Sequence, residues 1–160
     1  MNRSAFKPHL AEMQGFMSEA INEAKKALEE GEFPVGALIV KDEEIIARDH
    51  NRKEQCNDPT AHAEILVIRK AAFLLKDWRL KDCALYVTAE PCPMCMGAVI
   101  QTRLSRLIYG AAEKRFGGVE TTADLASHPM LFNHLEIYAG IMEEQCAAVM
   151  ECCFNRHNIC

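Results

Sequence analysis

Apolar residues open the chain at Leu10, Met13, Met17, Ile21, Ala24 and Leu28, in steps of three and four that place them on one face of a helix. Gly31, just past the last of them, suits the stop. The period then changes. VGALIVK (35–41) and EIIARDH (44–50) are apolar runs joined by a charged turn around Asp42 to Glu44, the pattern of a β-hairpin. NRKEQCNDPT (51–60) is polar and reads as a loop, and Thr60 at its end can cap a helix from about Ala61 to Leu75. The apolar residues of that helix (Ile65, Leu66, Val67, Ile68, Ala71, Phe73 and Leu74) fall nearly all round it, which predicts a buried helix. ALYVT is a strand, a further helix opens in EPCPMCMG (90–97) and runs to about Thr102, and RLIYGA is the next strand. Residues 112–132 read as irregular with a short helix near Thr122–Ser127, LEIYAG as a strand, and Glu143–Asn155 as the final helix.

The order α-β-β-α-β-α-β-(α)-β-α alternates strands with helices after the first hairpin, which favours parallel strands covered on both faces. The hairpin adds an antiparallel edge. The expected fold is a three-layer αβα sandwich around a central mixed five-stranded sheet. No internal repeat, low-complexity tract or linker divides the chain. Its 160 residues suit one well-buried core, so residues 1–160 read as a single domain.

Composition adds a compartment. The chain is 49% apolar and 26% charged, the profile of a soluble globular protein. No run approaches the roughly 18 apolar residues of a membrane span, and the opening MNRSAFKPHLAEMQ lacks a signal-peptide core. A cytoplasmic protein with no membrane partner is expected. The net charge of −5 and pI near 5.7 argue against nonspecific binding to nucleic acid but leave room for a local basic patch. Eight cysteines would suit a secreted disulfide scaffold, yet a chain of this length and apolar content does not need one. Cys56, Cys83, Cys146, Cys152, Cys153 and Cys160 read as reduced thiols without a function; Cys83, in the apolar run CALYVT, is a small hydrophobe.

Cys92 and Cys95 remain. Such a pair serves a redox disulfide, a structural zinc site or a catalytic metal site, and a second segment discriminates among them. TAHAE places His62 and Glu64 at the start of one helix after a strand hairpin, and PCPMC places Cys92 and Cys95 at the start of the next after another strand. Pro93 suits a first helical position, where no backbone donor is lost. Two positive helix ends aimed at one place favour anions and depress thiol pKa values. One His and two Cys supply three zinc ligands and leave the fourth position open, the arrangement of a catalytic zinc. A structural site wants a fourth ligand, and His50, Cys56 and Cys83 stand at no spacing that marks them for it. Glu64 then has a task as general acid/base beside an activated water. On its own Glu64 would read as a solvated helix charge, but its helix is nearly all apolar. A redox pair accounts for the cysteines and leaves His62 and Glu64 without a role. H-x-E followed some thirty residues later by P-C-x-x-C resembles the known signature of zinc deaminases acting on nucleobases.

The chain resembles the cytidine/deoxycytidylate deaminase superfamily, and within it the bacterial tRNA adenosine deaminases. The likeness runs from FPVGALIV through HNRKEQCNDPTAHAEI and LYVTAEPCPMCMGAVI to FNHLEIYAGIMEEQCAAVM. The resemblance implies that His62, Cys92 and Cys95 bind Zn2+ and that Glu64 shuttles protons. It implies that Asn51 hydrogen-bonds the target base, that backbone groups of Ala63 and Pro91 frame it, and that Val35 packs against it. Asn51 read on its own is a turn residue. The implied reaction is hydrolysis at an amino-bearing ring carbon, C6 of adenine or C4 of cytosine, with release of ammonia. A homodimer is also implied, with the helix near Pro93–Thr102 or the loop at 112–120 near the interface.

The chain departs from the family pattern in three places. Glu113 stands where an aspartate that touches a flanking ribose is usual, HPMLFNH is one residue longer than the typical segment, and the ending CCFNRHNIC is less basic. Three functions follow. The preferred one is a tRNA wobble-adenosine deaminase acting on an anticodon loop, favoured by the late N-H-x-x-E-I pattern. The alternative is a deaminase of a free nucleobase or nucleoside (guanine, cytosine or another aminopurine), favoured by the acidic pI and Glu113. A zinc-stabilised non-catalytic subunit would usually lose the acid, which Glu64 retains. Arg103, Arg106, Lys114, Arg115 and Arg156 are the cations available to contact phosphate, although such charges are usually solvated.

Overall fold

A computed structural model describes residues 8–128 and 135–157, with side chains as far as residue 154. Helix α1 (Leu10–Glu29) turns Met13, Met17, Ala20, Ile21, Ala24 and Ala27 inward. The chain reverses through Gly31 at φ +79°, a conformation glycine adopts without strain. Strands β1 (Gly36–Lys41) and β2 (Glu44–His50) form the expected hairpin. Asp42 and Glu43 at its tip both have positive φ, the backbone a two-residue hairpin turn requires. A short helix, α2 (Lys53–Cys56), then precedes α3 (Ala63–Leu75), β3 (Cys83–Ala89), α4 (Pro93–Thr102) and β4 (Arg106–Ala111). A 3-10 turn at Leu125–Ser127, β5 (Glu136–Tyr138) and α5 (Glu143–His157) complete the chain.

The sheet order is β2-β1-β3-β4-β5. β1 runs antiparallel to both neighbours, while β3, β4 and β5 are parallel. α1 packs on the sheet beside α5, and α3 packs on the sheet beside α4. This is the three-layer sandwich expected from the sequence. β3 is buried along its whole length, and β1 all but its last residue, as strands covered on both faces must be. No helix among the described residues is long and apolar enough to cross a membrane.

Three readings of the sequence need correction. Thr60 does not cap α3: its backbone N–H and its hydroxyl both donate to Asp58, and the helix starts two residues later with His62 as N-cap. The segment 51–60 is not all loop, because α2 forms within it. And α3 is not buried all round. Only Ala63, Glu64, Val67, Ile68 and Ala71 are fully buried, while Phe73 is 87% and Leu74 59% exposed. That stripe is a single helical face, and Glu64 lies on it.

α1 approaches the sheet closely at Gly36, where an added Cβ would lie 2.0 Å from the Ala20 carbonyl oxygen and 2.5 Å from the Ala24 nitrogen. Backbone cannot yield as a side chain can. Gly36→Ala should therefore destabilise the fold by about 1–3 kcal/mol or more. Gly15→Ala, on α1 with nothing within 4 Å of the new methyl, should stabilise by about 0.5–1 kcal/mol. Urea midpoints of the two variants check both signs.

Candidate metal and active site

The site lies at the end of the sheet where β2 and β3 run out and α3 and α4 begin. His62 and Cys92 are the N-cap residues of those helices, in extended backbone conformation, and neither caps its own helix with its side chain. Both side chains are thereby free to turn toward each other. Pro93 takes the first helical position, and Cys95 follows within the first turn. His62 Nδ1 lies 3.5 Å from Cys95 Sγ and 3.7 Å from Cys92 Sγ. Ligands of one tetrahedral zinc, with bonds of about 2.0–2.1 Å to nitrogen and 2.3 Å to sulfur, stand about 3.6 Å apart. The three side chains fit such an ion. Among the described residues no other group of three ligands converges in this way. His50 is held between Glu23 and Glu30, and Cys83 lies within β3.

The electrostatics agree. Its hydrogen bond with Cys95 and its contact with His62 push the Cys92 thiol down to about 4. The same pairing, with burial, pushes the Cys95 thiol up, and Cys92 raises His62 above the ordinary imidazole value. The three groups compete for shared protons, which a divalent cation displaces. Glu64 is buried, and burial raises its carboxyl above the ordinary range.

A cavity of about 500 Å³ opens beside these groups, lined by Val35, Asn51, Ala63, Glu64 and Glu113 together with His62 and Cys92. Pro91 does not line it. Its carbonyl accepts the Gly118 N–H at 2.7 Å, so Pro91 supports the wall from behind. The Glu113 carboxylate accepts the Arg115 N–H at 3.0 Å. Of the cations singled out in the sequence, Arg115 lines the cavity. Arg103 caps α4 near Trp78, Arg106 lies on a separate polar cleft, and the Arg156 side chain is outside the described residues. Asn133 and His134, which begin the late N-H-x-x-E-I pattern, are also outside them, as are HPMLFNH from Pro129 onward and Cys160.

The profile of the MafB19-like deaminases matches residues 11–151. The chain belongs to this family. It is 44% identical over 139 residues to a tRNA-specific adenosine deaminase of Bacillus subtilis, 87% of this chain and 86% of that protein. Among solved structures, one from work on A-to-I editing by tRNA:A34 deaminases at the wobble position matches with a TM-score of 0.81 and 43% identity. It covers 84% of this chain and 98% of its own. A guanine deaminase of Bacillus subtilis matches with a TM-score of 0.60 and 38% identity, over 79% and 71% of the two chains.

Within this deaminase-family chain, the sequence left several lining residues unremarked. Phe33, Lys53, Glu90 and Phe116 all border the cavity. Lys53 is placed there by α2, which polar composition concealed. Glu90 is the largest omission. Its buried carboxylate accepts backbone N–H bonds from Glu113, Val119, Glu120 and Thr121 at 2.9–3.2 Å, and a further bond from the Thr121 hydroxyl. The loop 113–121 is thus folded around one side chain. Gly117 and Gly118 let it come close: an added Cβ at Gly117 would lie 2.4 Å from Glu90 Oε2, and one at Gly118 2.6 Å from the Pro93 nitrogen. Nothing in the one-dimensional pattern marks a carboxylate whose partners are backbone amides from a loop.

Burial opposes ionisation of Glu90, but the donors from Glu120, Thr121 and Glu113 outweigh it and hold the carboxyl below its ordinary value. A depressed carboxyl contributes stability that is present above the unfolded-state value, about 4.3, and lost as pH falls through the lower folded value. The amides of Val119, Glu120 and Thr121 should therefore lose hydrogen-exchange protection in acid, below about pH 4. Glu90→Gln, which puts a donor where an acceptor is needed, should lower that protection at neutral pH and cost about 1–3 kcal/mol.

Proposed function

We propose that this protein is a cytoplasmic, single-domain, zinc-dependent deaminase that converts adenosine at the wobble position of tRNA to inosine. The observation that carries the chemistry is the meeting of a buried Glu64 with His62, Cys92 and Cys95 at two helix starts. For the substrate, the support is the likeness to tRNA-specific adenosine deaminases, at 44% identity in sequence and a TM-score of 0.81 in structure. Free guanine is the second reading, on the 38% identity to a guanine deaminase.

His62, Cys92 and Cys95 hold the zinc. Bound there, it supplies the Lewis acidity that makes water a nucleophile near neutral pH. Glu64 moves the protons. Its carboxylate takes one from the attacking water and delivers it to the ring nitrogen beside the reacting carbon. It then takes the proton left on the newly added hydroxyl and passes it to the departing amine, which leaves as ammonia. Burial suits the group to both directions, because a carboxyl raised toward neutrality gives up and regains a proton at little cost. Val35 and Ala63 flank the base and Asn51 hydrogen-bonds it, while Pro91 keeps Gly118 in place. Glu113 and Arg115 meet the neighbouring nucleotide. A homodimer, with α4 or the loop 112–120 near the partner, completes the reading.

Glu64→Ala should retain about one zinc per chain by elemental analysis and the native melting curve, yet lose on the order of 10²–10⁴ in turnover. Activity within threefold of the unaltered enzyme would rule out the role. Binding of an anticodon stem-loop should weaken steeply with salt, because phosphate contacts release counterions. Lys114→Glu combined with Arg115→Glu should raise KM for that RNA and flatten the slope. Guanine deamination without any inosine in an anticodon loop at low salt would replace the tRNA reading with the second one.

A further inference from the structure

Glu32 lies in the turn between α1 and β1 and is 3% exposed. Among the described residues its carboxylate is held by N–H donors and by no cation. The Gln55 N–H donates to Oε1 at 2.7 Å, and the Glu54 N–H and Asn51 Nδ2 donate to Oε2 at 3.2 and 3.3 Å. We propose that Glu32 is a positioning residue that sets the orientation of the Asn51 amide and so determines which base edge the cavity accepts. The proposal rests on the reading of this cavity as a base-binding site.

The two backbone donors belong to the first turn of α2, so they fix the carboxylate whatever Asn51 does. An ionised carboxylate only accepts hydrogen bonds. Asn51 must therefore turn its NH2 group toward Glu32, since the flipped amide would set two oxygens against each other. The backbone of Asn51 is pinned as well, its N–H donating to the Val35 carbonyl at 3.0 Å. Packing alone does not hold the amide, because a separate cavity of about 220 Å³ borders both Glu32 and Asn51. The hydrogen bond does. With one N–H committed to Glu32, the remaining N–H and Oδ1 face a ligand in one fixed order. A purine presents donors and acceptors in an order that depends on its substituents, so a fixed amide selects among edges where a freely flipping one would not.

Glu32→Gln is the direct test. The Gln55 N–H, the closest donor at 2.7 Å, takes the new Oε1, which leaves the new NH2 facing the Glu54 N–H and Asn51, so that the Glu54 bond is lost and the Asn51 amide reverses. The expected result is a loss of about tenfold to a hundredfold in kcat/KM for an anticodon stem-loop. In an Asn51→Ala background the same change should cost less than about twofold, because residues acting as one unit are not additive. The Asn51 side-chain NH2 resonances, assigned by their loss in Asn51→Ala, should shift between wild type and Glu32→Gln without any substrate present. A purely structural Glu32 would lower activity equally in both backgrounds, and that additivity, or unmoved Asn51 resonances, would overturn the proposal. Should Glu32→Gln fail to fold, Glu32→Asp keeps the charge with a shorter reach and must show the same non-additivity. Absence of all turnover on RNA and free bases would count against the base-binding reading, while the Asn51 resonances still decide the orientation.

Discussion

Helices α3 and α4 both begin without a side-chain cap, and the cavity depends on where those two starts meet. An N-cap side chain that bonds its own helix contributes on the order of 1 kcal/mol, and His62 and Cys92 forgo it. What they gain is reach. Each helix presents its positive end, its N-cap residue and one further polar side chain (Glu64 in α3, Cys95 in α4) to the same space. The parallel pairing of β3 and β4 requires a crossover through α4, and the antiparallel pairing of β1 with β3 brings the end of the hairpin alongside. Sheet order and site are one constraint.

The buried carboxylates separate by what compensates them. Burial opposes ionisation of each. In Glu23 the bonds to Lys26 and His50 win, in Asp49 those to Lys70 and Arg52, and in Glu90 the backbone donors of the loop, so all three lie below their ordinary values. Glu32 has three N–H donors. Glu64 is the exception, with burial dominant and its carboxyl raised. The partners of Glu23, Asp49 and Glu90 outweigh burial, whereas those of Glu64, its own backbone N–H and the Cys95 thiol, do not, an imbalance of the kind that fits a buried acid for proton transfer. Glu32 and Glu90 act differently. They organise the two walls of the cavity, one through Asn51 and α2, the other through the loop 113–121.

Legibility in the sequence followed the range of the forces involved. The α4 boundaries were plain because Pro93 declares a first turn, and β4 because RLIYGA is an apolar run between Ser105 and the charged segment that begins at Glu113. The cluster of His62, Cys92 and Cys95 was plain because the spacing that marks it is local within each segment. Glu90 and Glu32 were not, because their partners are backbone amides some twenty to thirty residues away in the chain, which carry no side-chain signature. Phe73 and Leu74 misled in the opposite sense: apolar composition predicts burial only where a neighbouring element covers it, and none of the described elements covers the end of α3. Thr60 shows a local competition, in which Asp58 two residues back takes the hydroxyl before the helix can.

The net charge of −5 looks adverse to a polyanionic substrate, but several of its acids lie far from the cavity. Asp42, Glu43 and Asp82 gather at the tip of the β1–β2 hairpin and the start of β3, in the polar cleft that also holds Glu12. The cavity lies at the other end of the same strands, near Gly36 and Ala89. Six or seven residues of extended strand span about 20 Å. Screening at physiological ionic strength acts over about 8 Å, so those acids contribute little at the cavity mouth. What a ligand meets there is the local lining, in which Glu64, Glu90 and Glu113 are accompanied by Lys53 and Arg115. Lys53 and Arg115 stand beside Phe33 and Phe116, and the Arg115 guanidinium lies 5.8 Å from the Phe116 ring centre and 5.4 Å from that of Phe154. Cations among aromatic faces suit a phosphate-linked base better than a free one, because the ring offers stacking and the charge answers the backbone. The acidity of the whole chain and the chemistry of its mouth are thus separate quantities, and the second bears on the substrate.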